Sequence, residues 1–320
     1  MLTKDLLKGL LSGNRMSLSK SITLIESANL DHRKQATELL SELSPSPSSI
    51  RLGICGAPGA GKSTLIETLG LKFISHGMKP AVLAMDPSSV QFGGSILGDK
   101  TRMQELSAHL DAYVRPSPTK GVLGGVTSAC SENIILCENA GYNPIIIETV
   151  GLGQSETTVD EVTDLILLVA NPAGGDFLQG IKKGIMEVVD LVVVNKAEPP
   201  FREKAEMTKF ELEQAFKMSV RRYDNWVPPV LLTSAKNKEG IEELVNEILN
   251  AKEKLKYEIF EKRKAQMILQ THRMMEDLLR AKLKEMKSSG DYNHILADLN
   301  QMKIIPRTAA TQMLSLLAKD

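Results

Sequence analysis

The sequence predicts an α/β fold: a mostly parallel β-sheet flanked by helices, with helical extensions before and after it. Three observations carry that prediction. From Ile50 to about Ile248, short β-type apolar runs alternate with helical stretches, the pattern of a parallel sheet with helices packed on it. Several of those runs are apolar at nearly every position, as strands buried on both faces require. The first run leads into a glycine-rich turn, Gly56-Ala-Pro-Gly-Ala-Gly-Lys62-Ser63, and then into a helical pattern.

Taken in order, residues 1–48 are expected to form an N-terminal helical extension. Leu6, Leu7, Leu10 and Leu11, then Leu18, Ile22, Leu24 and Ile25, then Leu39, Leu40 and Leu43 recur at helical spacings, giving two or three short helices. Ser44 to Ser49 has the Pro and Ser content of a linker. Residues 49–250 form the core domain, with strands expected at Ile50–Cys55, Pro80–Met85, Ala112–Arg115, Pro144–Thr149, Asp164–Ala170, Asp190–Asn195 and Val230–Thr233.

Residues 251–320 are read as a helical dimerisation arm. Between Gly240 and Gly290 there is neither Gly nor Pro, and Ile241, Leu244, Ile248, Ala251, Leu255 and Ile259 form a heptad-like stripe. At 1.5 Å per residue, one unbroken helix here would run roughly 70 Å, so it should project or break near Lys262 to Gln266. Long uncapped patterns favour coiled-coil-like pairing; the alternative is a helix packed back on its own chain. Ile295 to Leu317 reads as two further helices separated by Pro306.

Composition narrows the class of function. Lys plus Arg (39) equals Asp plus Glu (39), which gives no reason to expect a nucleic-acid or membrane surface. The longest apolar runs, such as Leu165–Ala170, fall far below the ~18 residues of a membrane span. Cys55, Cys130 and Cys137 form no CxxC pair, so a reducing cytoplasm suits them.

Gly56 to Ser63 satisfies GxxxxGK[ST] in the strand–turn–helix context that the motif requires, which makes the fold a P-loop NTPase. Its backbone N–H groups and the helix N-terminus face bound phosphates, so Gly56, Pro58, Gly59, Ala60, Gly61, Lys62, Ser63 and Thr64 are the expected nucleotide contacts. Lys62 would reach the β and γ phosphates, and the Ser63 hydroxyl would ligate Mg²⁺. Asp86, Asp99 and Glu148 follow strands or lie in the loops beyond them, and Mg²⁺ needs one or two such carboxylates. Lys62, Asp86 and Glu148 are the catalytic candidates. Glu148-Thr-Val-Gly151 looks like a DxxG element with Glu replacing Asp, whose Gly151 N–H would sense the γ-phosphate.

Asn195-Lys196-Ala197-Glu198 follows the run LVVV, and Ser234-Ala235-Lys236 follows VLL. Together they resemble NKxD and SAK elements, in which the carboxylate accepts two hydrogen bonds that guanine supplies and adenine cannot. Here Glu198 is one methylene longer than the usual Asp.

These motifs, with LAMDPSS, GGSILGDKTRM, RPSPTKGVLGGV, IIETVGLGQSE, GGDFLQGIKKGIMEVVDLVVVNKAE and the N-terminal GLLSGNRMSLSKSITLIES, resemble the MeaB/ArgK family of SIMIBI-class P-loop GTPases. The resemblance implies a homodimeric GTPase that binds GTP and GDP with Mg²⁺. It also implies a chaperone that gates cofactor loading of an adenosylcobalamin-dependent acyl-CoA mutase, such as methylmalonyl-CoA mutase, and protects it. It further implies a partner-responsive loop at Gly174–Lys183, with Asp176, Gln179 and Lys182 as contacts. Gln154 stands three positions beyond Gly151 and is not assigned to position water, so slow intrinsic hydrolysis is expected. Two rival functions make different demands on the sequence. A metal-delivery GTPase would carry a Cys or His cluster, whereas His32, His76, His109, His272 and His294 are scattered. An ArgK-type kinase or ATPase linked to amino-acid transport would need an acceptor site with a base.

Overall fold

The computed structural model describes residues 2–27, 29–46, 48–85, 103–115, 125–149, 155–172, 183–219 and 221–317. All seven expected strands form: β1 (Arg51–Gly56), β2 (Ala81–Met85), β3 (Tyr113–Arg115), β4 (Ile145–Thr149), β5 (Leu165–Ala170), β6 (Leu191–Val194) and β7 (Val230–Leu232). They pair in parallel in the order β3-β2-β4-β1-β5-β6-β7. Boundaries move by a residue or so, because the ladder register and not apolarity decides where pairing stops.

Helices cover both faces. They are α1 (Leu2–Leu11), α2 (Arg15–Ile25), α3 (Leu30–Ser41), α4 (Lys62–Ser75), α5 (Gln104–Ala108), α6 (Gly125–Asn139), α7 (Ser155–Asp160), α8 (Lys183–Met186), α9 (Arg202–Met218), α10 (Ile241–Lys254), α11 (Lys256–Met286), α12 (Gly290–Asn300) and α13 (Pro306–Leu316). Side chains alternate across a strand, so Ile145 and Ile147 enter one core while Ile146 enters the other. In the first core, Leu10, Leu18, Ile22 and Leu39 of the N-terminal helices are fully buried together with strand residues. In the second, Leu65, Leu69 and Phe73 of α4 meet Leu244 and Ile248 of α10. Among the described residues no helix is long and apolar enough to cross a membrane.

Two expectations are corrected. The long helix breaks at Leu255 (φ −98°, ψ 20°), not near Lys262 to Gln266. The break keeps Leu255 and Ile259 in the core with the rest of the stripe, so residues 241–259 pack on their own chain. Residues 262–266 stay helical, with Lys262, Arg263 and Gln266 hydrogen-bonded to residues 160–164. The first of the two last helices starts at Gly290, capped by Ser289 Oγ, and not at Ile295; Pro306 opens the second at its N1 position.

Candidate functional site

β1 lies between β4 and β5, the strands reached by crossovers to either side, and such a switch point opens a crevice at the carboxyl ends of the strands. The chain leaving β1 there turns through Gly56–Gly61 into α4. A Cβ on Gly56 would lie 2.4 Å from Val169 O, and Gly61, at φ +89°, would place one 2.5 Å from Asn195 Nδ2. Both glycines are therefore required by close approach. The first turn of α4 leaves its leading N–H groups without intrahelical acceptors, at the positive end of the helix dipole. Ala60 is buried, while Pro58, Gly59 and Thr64 lie exposed at the rim.

Lys62 Nζ curls back to Gly56 O at 2.7 Å and Ala57 O at 3.2 Å. Burial pushes its pKa below the ordinary lysine value, and the nearby Glu148 carboxylate opposes that shift. Ser63 Oγ donates to Glu148 Oε1 at 3.0 Å, from α4 to the end of β4. A hydroxyl and a carboxylate thus stand at one point, hard oxygen donors of the kind Mg²⁺ takes. Among the described residues no group of three or more His, Cys, Asp or Glu gathers as a metal cluster.

Asn195 and Lys196 follow β6 and reach across to the glycine-rich turn. Asn195 Nδ2 donates to Ala60 O at 3.0 Å, while its Oδ1 accepts from Ala235 N–H at 3.1 Å and Thr233 Oγ1 at 3.4 Å. Lys196, held at φ +61°, donates to Gly59 O at 2.7 Å. Ala197 N–H donates to Thr233 O at 3.0 Å, and Ser234 Oγ accepts from Asn237 N–H at 3.1 Å. Lys236 is exposed. Glu198 Oε2 is buried with no hydrogen-bond partner among the described residues, an acceptor whose chemistry suits a donor-bearing ligand.

The structure therefore brings together Gly56–Thr64, Glu148, Asn195, Lys196 and Ser234–Lys236. Asp86, Asp99, Gly151, Asp176, Gln179 and Lys182 lie outside the described residues. Sequence reasoning missed Thr233, whose hydroxyl and carbonyl brace Asn195 and Ala197; its place immediately before Ser234 was the available signal.

A family model described as methylmalonyl Co-A mutase-associated GTPase MeaB matches residues 18–288. A probable GTPase of Mycobacterium bovis is 51% identical over 233 residues, which are 72% of this chain and 69% of the relative. The mitochondrial methylmalonic aciduria type A homolog of Mus musculus is 47% identical over 247 residues, 74% of this chain and 60% of that one. The crystal structure of a LAO/AO transport system kinase superposes with a TM-score of 0.75 at 32% identity, covering 99% of this chain and 98% of that one.

Proposed function

This chain belongs to the methylmalonyl-CoA mutase-associated GTPase MeaB family and hydrolyses GTP, and from that premise we propose that its hydrolysis is a switch that chaperones an adenosylcobalamin-dependent acyl-CoA mutase. The observation that carries this reading is the reach of the match, which extends from α2 to the end of α11 and so spans part of each helical extension as well as the nucleotide core. A nucleotide core alone would support GTP hydrolysis and say nothing of a partner.

Each side chain has a part in the proposal. Lys62 releases the carbonyls of Gly56 and Ala57 and binds the β and γ phosphates, a contact that offsets the desolvation of its ammonium. Ser63 and Glu148, with Asp86 and Asp99, would hold Mg²⁺, whose chemistry there would be charge stabilisation at the phosphate oxygens. Asn195 ties the phosphate loop to Ser234–Lys236, so the base and phosphate ends of the pocket are positioned by one residue. Glu198 accepts from the guanine N1–H and amino group. The proposal includes a homodimer, with Asp176, Gln179 and Lys182 as the contacts to the mutase.

The test is association of the full chain with purified candidate mutases in GDP and in a non-hydrolysable GTP analogue. Nucleotide-dependent binding is expected, and its absence with every adenosylcobalamin-dependent acyl-CoA mutase would sink the reading. The solved relative described as a transport system kinase supplies a rival, phosphoryl transfer to a protein. Label from γ-labelled GTP appearing stoichiometrically on a partner, in place of free phosphate, would favour it.

A further inference from the structure

A cavity of about 500 Å³ opens where helices from three parts of the chain meet: α3 of the N-terminal extension, α6 of the core and α11 of the arm. Leu40 and Leu43 from the extension, Ile135 from the core and Met274 from the arm give it apolar walls. None of its lining residues belongs to the nucleotide pocket. A space of this size takes a small organic ligand, whose usual site is a mostly apolar cleft with a few polar groups that fix its orientation.

The charged groups of the lining say which ligand. Arg33 comes from α3, Glu132 from α6 and Asp277 from α11, so two carboxyl groups share the cavity with one guanidinium. Among the described residues neither carboxyl group has a hydrogen bond or an ion pair. The charge of Arg33 favours ionisation of Glu132, but burial outweighs it and pushes the pKa up to about 7. A carboxylate set among apolar walls lacks the solvation that water would give it, and a cation restores what is missing. An anion would meet Arg33 but also both carboxyl groups.

The geometry points to a binding site for a small amphipathic amine, its ammonium paired with Glu132 and Asp277 and its hydrocarbon body against Leu40, Ile135 and Met274. A molecule seated there touches extension, core and arm together, so it stabilises the folded chain by mass action. Binding is also coupled to pH. Glu132 must be ionised to pair with the ammonium, with Arg33 and Asp277 the charged groups that share the cavity from α3 and α11, so affinity rises as pH passes upward through about 7.

The test is titration calorimetry of the full chain with three probes of matched hydrocarbon chain: n-octylamine, 1-octanol and octanoate. Octylamine is expected to bind with a dissociation constant below about 1 mM, and octanol and octanoate at least about tenfold more weakly. Its affinity should rise about fivefold to tenfold from pH 6 to pH 8 in the parent and stay level in Glu132→Gln. At pH 8 that variant should bind octylamine about tenfold more weakly than the parent and octanol within about twofold of it. Asp277→Asn, on the arm, should weaken octylamine about threefold and supplies the reading if Glu132→Gln does not fold. Parent-like affinity for GDP shows that a variant is folded. No saturable octylamine binding, equal binding of octanol or octanoate, or an unchanged affinity in the folded variants overturns the inference. So does an octylamine affinity that falls as rising protein concentration forms dimer, which would give the cavity to a second copy of the chain.

Discussion

At Glu198 one methylene separates this chain from the Asp that NKxD elements carry, and its Oε2 is buried with no hydrogen-bond partner among the described residues. A buried acceptor left unpaired costs about 1–3 kcal/mol, which a ligand bearing two adjacent N–H donors recovers on binding. Glu198→Gln replaces one acceptor with a donor that faces the guanine donors. It is expected to weaken GDP about tenfold to a hundredfold by titration calorimetry, on the scale of one charged hydrogen bond. A dissociation constant equal to that of the parent would remove Glu198 from base recognition. The identity of this residue was legible in the sequence from NKAE, as was Asn195. The role of Asn195 as a strut between two loops was not, because its partners Ala60 and Ala235 are 135 and 40 residues away.

Among the elements, the strands were the legible part, since burial on both faces leaves an apolar run that no helix period imitates. The junctions between elements were not. Asp190 precedes β6 and accepts from Ile166 N–H of β5 at 2.8 Å, while its Oδ1 has no partner among the described residues. Burial lifts its pKa to about 6 against an ordinary 3.8, with Lys262 and Arg222 opposing the shift incompletely. A raised carboxyl pKa favours the protonated native state, so this stabilisation is fully present below about pH 3.8 and lost as pH rises through about 6. Asp190→Asn keeps an acceptor for Ile166 and carries no charge. It is expected to be more stable than the parent at pH 8, by up to about 3 kcal/mol, with the advantage disappearing towards pH 4. Denaturant midpoints measured at both pH values check this, and an equal difference at each would contradict it. The break at Leu255 was equally hidden, because no Gly or Pro marks it and the buried stripe runs through it to Ile259.

On the scale of the whole molecule, the arm divides into an inner part that belongs to the core and an outer part with large apolar side chains in solvent. Ile268 and Leu278 of α11 are 60% and 67% exposed, as is much of the surface from Tyr257 to Leu314. Large apolar side chains exposed in this number mark an interaction face, and the proposed homodimer is what would cover it. The parent is expected to sediment as a dimer and I268E/L278E as a folded monomer; a parent that remains monomeric at micromolar concentration would refute the dimer. Which chemistry the chain performs was determined by the sequence alone. The phosphate loop, NKAE and SAK are local strings whose residue types suit phosphate and guanine, and the apolar strands dictated the sheet that aligns them. Only the tertiary structure decided that the stripe at 241–259 faces inward, that Ser63 meets Glu148, and that one face of α11 holds the end of α7. Those contacts join residues far apart in the chain, and helical spacing shows that a face exists without showing what lies against it.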